Sequence, residues 1–530
     1  MILGGRKRFL AGLLAANAAF LWHNAFRTYQ AFDMNIFLDG AWRIVSGQKP
    51  YVDFIIATGP VHYYLLAVFC KALGFGKTAI WAHLVFVHSA VILATWCMVR
   101  KRAGVLAAML AAFLSTTCFY WSVSFPWYSQ SAHLWGILAA AFLACRLPFT
   151  DAAAARRAGF FCGLMAAFSI LTKQNIGAAY VVVFAAVLGV SVFRWQALLV
   201  FLAGLVTGSV LVTAFLIPSL PAFMDQVMGA SAFRMYLFEH FIGSPAIWFF
   251  NYYWIAALVV AANLAVASKR PWPLAALFFG LWFVGVFSMG TSGSVYKADV
   301  PLLGIFMGVA FILVGDGAGN ENAEWKRKFK RISFWILAAT TLALTALYAR
   351  YGIELKGWSK PYFSKFQGVD INQTGDYPLK AAKLQGWLMD REQGEALDGL
   401  VEYFNGRVSP KDSVLILTDL QVFYALTGRQ SFKGVTLAFV DWGWPTPGKM
   451  RDEVRENILK KPPLWIVTHE NRVPFAMYVL KYLGLEDELR LHYAVVHQFG
   501  NYRLLRRKWS LQGGWTPEAL NAILAVREHH

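Results

Sequence analysis

Apolar residues in this chain gather into nearly uncharged blocks of roughly 17–23 residues, about the length that crosses ~30 Å of hydrocarbon as a helix. The pattern predicts about eleven such helices, at 9–26, 78–99, 103–120, 129–147, 158–172, 176–193, 195–217, 246–267, 272–289, 300–315 and 332–349. Basic clusters punctuate them: Arg6-Lys7-Arg8, Arg100-Lys101-Arg102, Arg156-Arg157, Arg194, Lys269-Arg270 and Lys326 to Arg331. Cytoplasmic loops carry an excess of Lys and Arg, so these clusters predict an inside N-terminus and deliver the chain after the last helix to the outside. Val61 to Leu73 is apolar but too short to span. Counting it as a span would export Arg100-Lys101-Arg102. Residues 34–46 and 60–74 therefore read as two helices lying on the outer surface, joined by Gly47-Gln48-Lys49-Pro50, within a long first outer loop, 27–77.

Beyond Arg350 the pattern changes. Ser413 to Thr418 and Leu464 to Thr468 are short β-rich runs, and Tyr493 to Gln498 and Tyr502 to Leu505 add two more. Helical stretches are expected near Ala381–Asn405, Lys449–Lys460 and Pro474–Leu483. The fold class is thus an α-helical polytopic membrane protein with a C-terminal soluble α/β domain: a membrane module over 1–350 and a soluble domain over 351–530.

Composition agrees. The chain is 58% hydrophobic and only 15% charged, with a mean hydropathy of +0.47, where a soluble domain carries about a quarter of its residues charged. The net charge of +19 comes in short clusters between apolar blocks, with no continuous basic stripe, so it is explained by membrane topology and not by nucleic acid. Cys70, Cys97, Cys118, Cys145 and Cys162 show no CxxC spacing, which argues against a metal or redox site. The start, Arg6-Lys7-Arg8 before an apolar run, reads as an uncleaved first helix. The Ala16-Asn17-Ala18 cleavage pattern follows too short an apolar run. The soluble domain holds no GxGxxG and no P-loop.

Ionisable groups beside a membrane are functional candidates because burying them is costly. On the outer side these are Asp33, Asp39, Asp53, His62, Lys173, Asp225, Arg234, Glu239, His240, Lys297 and Asp299. Carboxylates and cations on one face suit attack of a hydroxyl on a phosphate-linked substrate: a carboxylate takes the proton and a cation stabilises the departing phosphate. The bland alternative for each is a solvated loop residue. Asp39 lies six residues after Asp33, off the same helical face, and reads as solvated.

The first loop carries a more specific pattern. An acidic residue just after the first helix (Asp33), a small residue eight positions on, a Gly, then Pro50-Tyr51-Val52-Asp53-Phe54 and Gly59-Pro60-Val61-His62-Tyr63-Tyr64-Leu65 together resemble the GT-C superfamily. These are polytopic glycosyltransferases that use lipid-phosphate sugars, and the likeness is to the branch of protein O-mannosyltransferases and the lipid A aminoarabinose transferase. Gly163 to Asn175 is similar to that branch's glycine-rich helix ending in Thr-Lys. The resemblance implies an enzyme of a bacterial inner membrane that moves a sugar from a polyprenyl-phosphate donor to a lipid, glycan or protein acceptor on the outer face. It also implies Asp33 as general base, against a plain N-cap for the surface helix. Asp53 is the second catalytic candidate, against a structural hydrogen bond in its turn.

For the donor phosphate, Lys173 is the best-placed cation, with Arg234, His240 and Lys297 beside it as candidates. His62 and Glu239 are candidates for substrate contact. Trp127-Tyr128 falls in the second outer loop and reads as a membrane-belt pair opposite the site, with sugar stacking as the functional alternative. Some GT-C enzymes bind a divalent cation and others do not, and no tight carboxylate–His cluster decides it here. Membrane lipids are the remaining partner. A transporter or flippase of a lipid-linked saccharide is the competing reading, although internal repeats and mid-membrane charges, which transporters tend to show, are not seen.

Overall fold

The computed structural model describes residues 2–27, 29, 31–121, 125–228, 254–267, 271–291, 300–315, 324–353, 375–436, 448–469 and 483–508. Within them the apolar blocks are helical: Ile2–Ala25, Lys77–Phe119, Tyr128–Arg146, Ala152–Ile170, Gln174–Gly189, Arg194–Leu216, Trp254–Val266, Trp272–Thr291, Leu303–Gly315 and Glu324–Ile353. The segments expected at 78–99 and 103–120 are the two halves of Lys77–Phe119, parted at Gly104, whose φ of 89° is open to glycine at little cost. Among the described residues, three helices are long and apolar enough to cross a membrane: Lys77–Phe119, Arg194–Leu216 and Glu324–Arg350. This is a multi-pass membrane protein.

Apolar surface gives no driving force between helices in lipid, so close backbone contact has to hold them. The pair Ala152–Ile170 and Arg194–Leu216 shows how. A Cβ on Gly159 would stand 2.3 Å from the Ala197 carbonyl oxygen, and one on Gly163 2.0 Å from that of Phe201. Facing them, a Cβ on Gly204 would stand 2.2 Å from the Phe160 carbonyl oxygen and one on Gly208 2.6 Å from the Ala167 Cβ. Each helix thus contributes a Gly-x-x-x-Gly step, and the two backbones lie against each other. On the other side of the second helix, Leu199, Leu202, Val206 and Val210 are more than half exposed, an apolar stripe suited to lipid.

The connection 27–77 begins and ends on one side of the helices. The Trp81 indole donates to the Ala18 carbonyl (2.8 Å), and the Lys77 ammonium lies 4.7 Å from the Phe26 ring centroid. The last turns of the first helix therefore meet the first turns of Lys77–Phe119. Asn24 donates to the Gly352 carbonyl (2.7 Å), which brings the end of Glu324–Ile353 to the same side. Between them lie helices Ala31–Val45 and Val61–Leu73 and a short strand, β1 (Phe54–Ile55). At about 1.5 Å per residue, the 13 residues of Val61–Leu73 span only about 20 Å.

The C-terminal domain is built of short strands, the longest of 7 residues, on a small sheet. After β2 (Tyr377–Pro378) and β3 (Leu388–Met389), the strands β4 (Val414–Ile416), β6 (Trp465–His469), β8 (Tyr502–Arg507) and β7 (Tyr493–Phe499) form one sheet in that order. β4 and β6 are parallel (Leu415 opposite Ile466), and the crossover carries helix Gly448–Lys460. β6 and β8 are antiparallel, and β7 returns on β8 with an irregularity between Val495 and His497. The helix expected from Ala381 starts only at Arg391. Its predicted first part is instead a 3-10 turn, Ala382–Leu384, and β3, and Asp390 caps it by accepting from the Gln393 amide. The stretch Pro474–Leu483 lies, but for its last residue, outside the described residues.

The first loop enters this domain. β5 (Val435–Thr436) pairs in parallel with β1, Phe54 opposite Val435 and Ile55 opposite Thr436. Ile55 is buried in the same cluster as Leu415, Val454, Ile458 and Ile466. Where the chain leaves the first helix, Tyr29 donates to the Leu388 carbonyl and Leu388 to the Phe26 carbonyl, both at 2.9 Å.

Gly163→Leu should drive the two glycine-paired helices apart and cost at least about 3 kcal/mol, beyond ordinary overpacking because the clash is with backbone. Gly12→Leu, where nothing lies within 4 Å of a new Cβ, should leave the melting temperature of the detergent-solubilised protein nearly unchanged. Equal melting of the two variants would contradict this account of the packing.

Candidate functional site

The two stretches that carry the family resemblance, far apart in sequence, touch. A Cβ on Gly59 would fall 1.9 Å from the Leu171 carbonyl oxygen, so only glycine allows the approach. Val61 donates its amide to that carbonyl (3.2 Å), and the Gln174 side chain donates to the Ala57 carbonyl (3.3 Å). This seam fixes Thr172-Lys173 against the turn that precedes helix Val61–Leu73.

The turn itself is tightly determined. Tyr51 holds φ at 65°, a conformation that costs a non-glycine residue of order 1–3 kcal/mol and persists only where its surroundings impose it. They do: the Tyr51 hydroxyl donates to the Thr58 carbonyl (2.7 Å), its amide to the Phe54 carbonyl (2.9 Å), and its ring meets Phe223 edge-on at 5.1 Å. Gln226 reinforces the loop, donating to the Tyr51 carbonyl (3.0 Å) and accepting from the Ile56 amide (3.2 Å). Asp53 closes the turn by accepting from the Lys49 amide (2.8 Å), and it pairs with Lys433 of the C-terminal domain at 3.0 Å. Partial burial pushes its carboxyl up, but the Lys49 amide and the Lys433 ammonium outweigh that and hold its pKa below the ordinary 3.8. These contacts support the structural alternative for Asp53.

Lys173 occupies the extended residue between helices Ala152–Ile170 and Gln174–Gly189 and is 1% exposed. Its ammonium donates to Ser129 Oγ (2.9 Å) and stands 4.6 Å from the Tyr128 ring centroid. A hydroxyl and a ring face both stabilise an ammonium. Two residues after Ser129, Ser131 Oγ lies 2.8 Å from His62 Nδ1. His62 is fully buried, and burial first, with neighbouring His83 second, lowers its pKa well below 6.5, so the imidazole is neutral. Among the described residues its Nε2 has no hydrogen-bond partner. Phe37 joins the group, edge-on to His62 at 4.9 Å and to Tyr128 at 5.2 Å.

Two expectations change. Asp39, read as solvated, is 1% exposed and pairs with Arg43 at 2.7 Å, because its side of the helix faces the C-terminal domain, which sequence periodicity does not reveal. The pair Trp127-Tyr128, read as lying opposite the site, belongs to it: Tyr128 lies against Lys173, and Trp127 is nearly buried and stacks on Phe125 at 5.7 Å. Asp33 lies in the first turn of Ala31–Val45 and not at its N-cap. Arg234, Glu239, His240 and Lys297 fall outside the described residues. Among the described residues no three His, Cys, Asp or Glu side chains are grouped to hold a metal ion. Ser129, Ser131 and Gln226 were not singled out from sequence. The signal available was Ser129-Gln130-Ser131, three polar residues opening an apolar helix.

The architecture is one of apolar helices topped by a loop with two short helices and a C-terminal α/β domain. No family model matches the sequence, and no curated protein matches it either. Solved structures do. ArnT from Cupriavidus metallidurans bound to undecaprenyl phosphate is similar with a TM-score of 0.54 at 14% identity, over 95% of this chain and 99% of that one. The apo state of the same protein matches with a TM-score of 0.52 at 15% identity, over 95% and 98%. At such identity the shared property is the fold.

The depressed pKa of Asp53 has a pH consequence. Its stabilising contribution is complete above the ordinary carboxylate range and is lost as pH falls through the lower folded value. Asp53→Asn should therefore lower stability by about 1 kcal/mol at pH 7, while in thermal melts the difference narrows as pH falls below the ordinary carboxylate range. A difference that persists unchanged at pH 3 would show that the charge is not responsible.

Proposed function

We propose that this chain is a membrane glycosyltransferase that takes a sugar from a polyprenyl-phosphate donor and passes it to a hydroxyl of a lipid, glycan or protein acceptor. The observation that carries the reading is the buried ammonium of Lys173, held by Ser129 and Tyr128 at the seam of the two family-like stretches. The fold it sits in is shared with ArnT, which was crystallised with undecaprenyl phosphate.

In this reading Asp33 removes the proton from the acceptor hydroxyl, whose oxygen attacks the anomeric carbon. The bond from that carbon to the phosphate oxygen breaks, and its electron pair leaves with the polyprenyl phosphate. Lys173 stabilises that charge from a site of low dielectric, where a fixed cation acts more strongly than in water. Asp33 stands one helical turn before Phe37, so the two positions share a helix face, and Phe37 packs on Tyr128 beneath Lys173. Neutral His62 offers the sugar a hydrogen-bonding nitrogen without adding charge.

Sidedness follows from the basic clusters. Arg102 donates to the Ala144 (2.9 Å) and Leu147 carbonyls, which puts the Arg100-Lys101-Arg102 cluster beside Arg146, at the helix ends remote from Lys173. That side is cytoplasmic by the excess of Lys and Arg, and the site and the C-terminal domain are extracytoplasmic.

Asp33→Asn should leave the fold intact and reduce transfer of radiolabelled sugar from a polyprenyl-phosphate donor by about 10²–10⁴-fold. Lys173→Met should reduce turnover by about 10²–10³-fold. Full activity of the first variant removes Asp33 as the base, and full activity of the second removes Lys173 from the phosphate site.

A further inference from the structure

Helix Ala31–Val45 has two different faces. At about 100° per residue, positions 33, 37 and 41 fall on one side and 35, 39, 42 and 43 on the other. The first side meets the membrane module: Phe37 packs on His62, Phe125 and Tyr128, and Ala41 is buried. The second meets the C-terminal domain. Asn35 Oδ1 accepts from the Val422 amide (2.9 Å) and its side-chain nitrogen donates to the Asp419 carbonyl, and the Trp42 indole donates to the Arg429 carbonyl (2.8 Å).

At the centre of that second face is a closed ring of hydrogen bonds. Arg43 donates through Nε to Asp39 (2.7 Å) and through Nη1 to Gln48 Oε1 (3.1 Å) and to the Phe432 carbonyl (2.7 Å). The Ser431 hydroxyl donates to the other Asp39 oxygen (2.5 Å), and Gln48 Nε2 donates to the Ser431 carbonyl (2.5 Å). Asp39, Arg43, Gln48 and Ser431 are each at most 3% exposed. The Arg43 guanidinium also lies over the Phe54 ring at 5.3 Å, next to the β1–β5 pairing.

An apolar interface would hold the helix down but let it slide and turn, because burial is non-directional. A ring of directional, partly charged bonds permits one rotation and one height along the helix axis, since any other leaves a buried charge unpaired. Asp33 rides on that helix. We propose that the Asp39–Arg43–Gln48–Ser431 ring is the device by which the C-terminal domain sets the position of Asp33 over the membrane module, with Arg43 and Ser431 as positioning residues for transfer. This rests on the glycosyl-transfer reading for its consequence in catalysis, but not for the mechanical part.

Both parts are testable in the full-length protein reconstituted in nanodiscs. Asp39→Asn with Arg43→Gln replaces the ion pair by a neutral pair and avoids a stranded charge, and Ser431→Ala removes one bond. In each folded variant, hydrogen exchange of amides 31–45 should quicken at least about tenfold while 152–170 stays unchanged. Turnover should fall about 10- to 100-fold with the Michaelis constant for the polyprenyl-phosphate donor within about twofold of the parent. Parental exchange and turnover in a folded variant would overturn the proposal. Should the double variant fail to fold, Ser431→Ala decides on the same readouts. Failure of the glycosyl-transfer reading shows separately, as full transfer by Asp33→Asn, and the exchange measurement then still decides whether the ring holds the helix.

Discussion

Arg43 is the residue around which the first loop and the C-terminal domain are arranged. A guanidinium almost without solvent exposure demands an anion and several acceptors at fixed angles, and here they come from three separate pieces of chain: its own helix, the turn at Gln48, and the segment at Ser431 and Phe432. Removing one member of such a buried pair typically costs about 3–5 kcal/mol, so the three pieces move together or come apart together. The placement of β5 beside β1, and of Ile55 inside the C-terminal domain's core, follows from the same seating. The first loop and the C-terminal domain are therefore one folded body, whatever the chain order suggests.

On the membrane side the corresponding constraint is the missing side chain. Gly59 against Leu171, and the paired glycines between Ala152–Ile170 and Arg194–Leu216, let backbone meet backbone. Lys173 leaves the glycine-rich helix just where Gly59 docks, so the same packing that holds the helices delivers the ammonium beneath the first loop. The surface helix Ala31–Val45 lies between these two systems, with the glycine-packed bundle on its Phe37 side and the Arg43 ring on the other.

The electrostatic character of the site follows from how each group is buried. Lys173 lies against a hydroxyl and an aromatic face, whereas His62, buried with another imidazole nearby, is held neutral. Asp53, engaged by the Lys49 amide and Lys433, spends its charge on holding the turn.

Block length and charge clustering determined the polytopic helical fold and the change to an α/β domain after Arg350, because crossing a membrane imposes a length and a composition that local sequence must satisfy by itself. The short strands were legible for a similar local reason, and Asp33, Asp53 and Lys173 drew notice because charge beside a membrane is costly. What a residue does with its charge was not legible. Asp39 and Asp53 look alike in sequence, yet one is sealed in a ring with Ser431 and the other spans to Lys433, partners nearly 400 residues away. Ser129 and Ser131 are ordinary residues until the fold sets them under Lys173 and His62. Such contacts depend on which faces meet in space, and only the tertiary structure decides that.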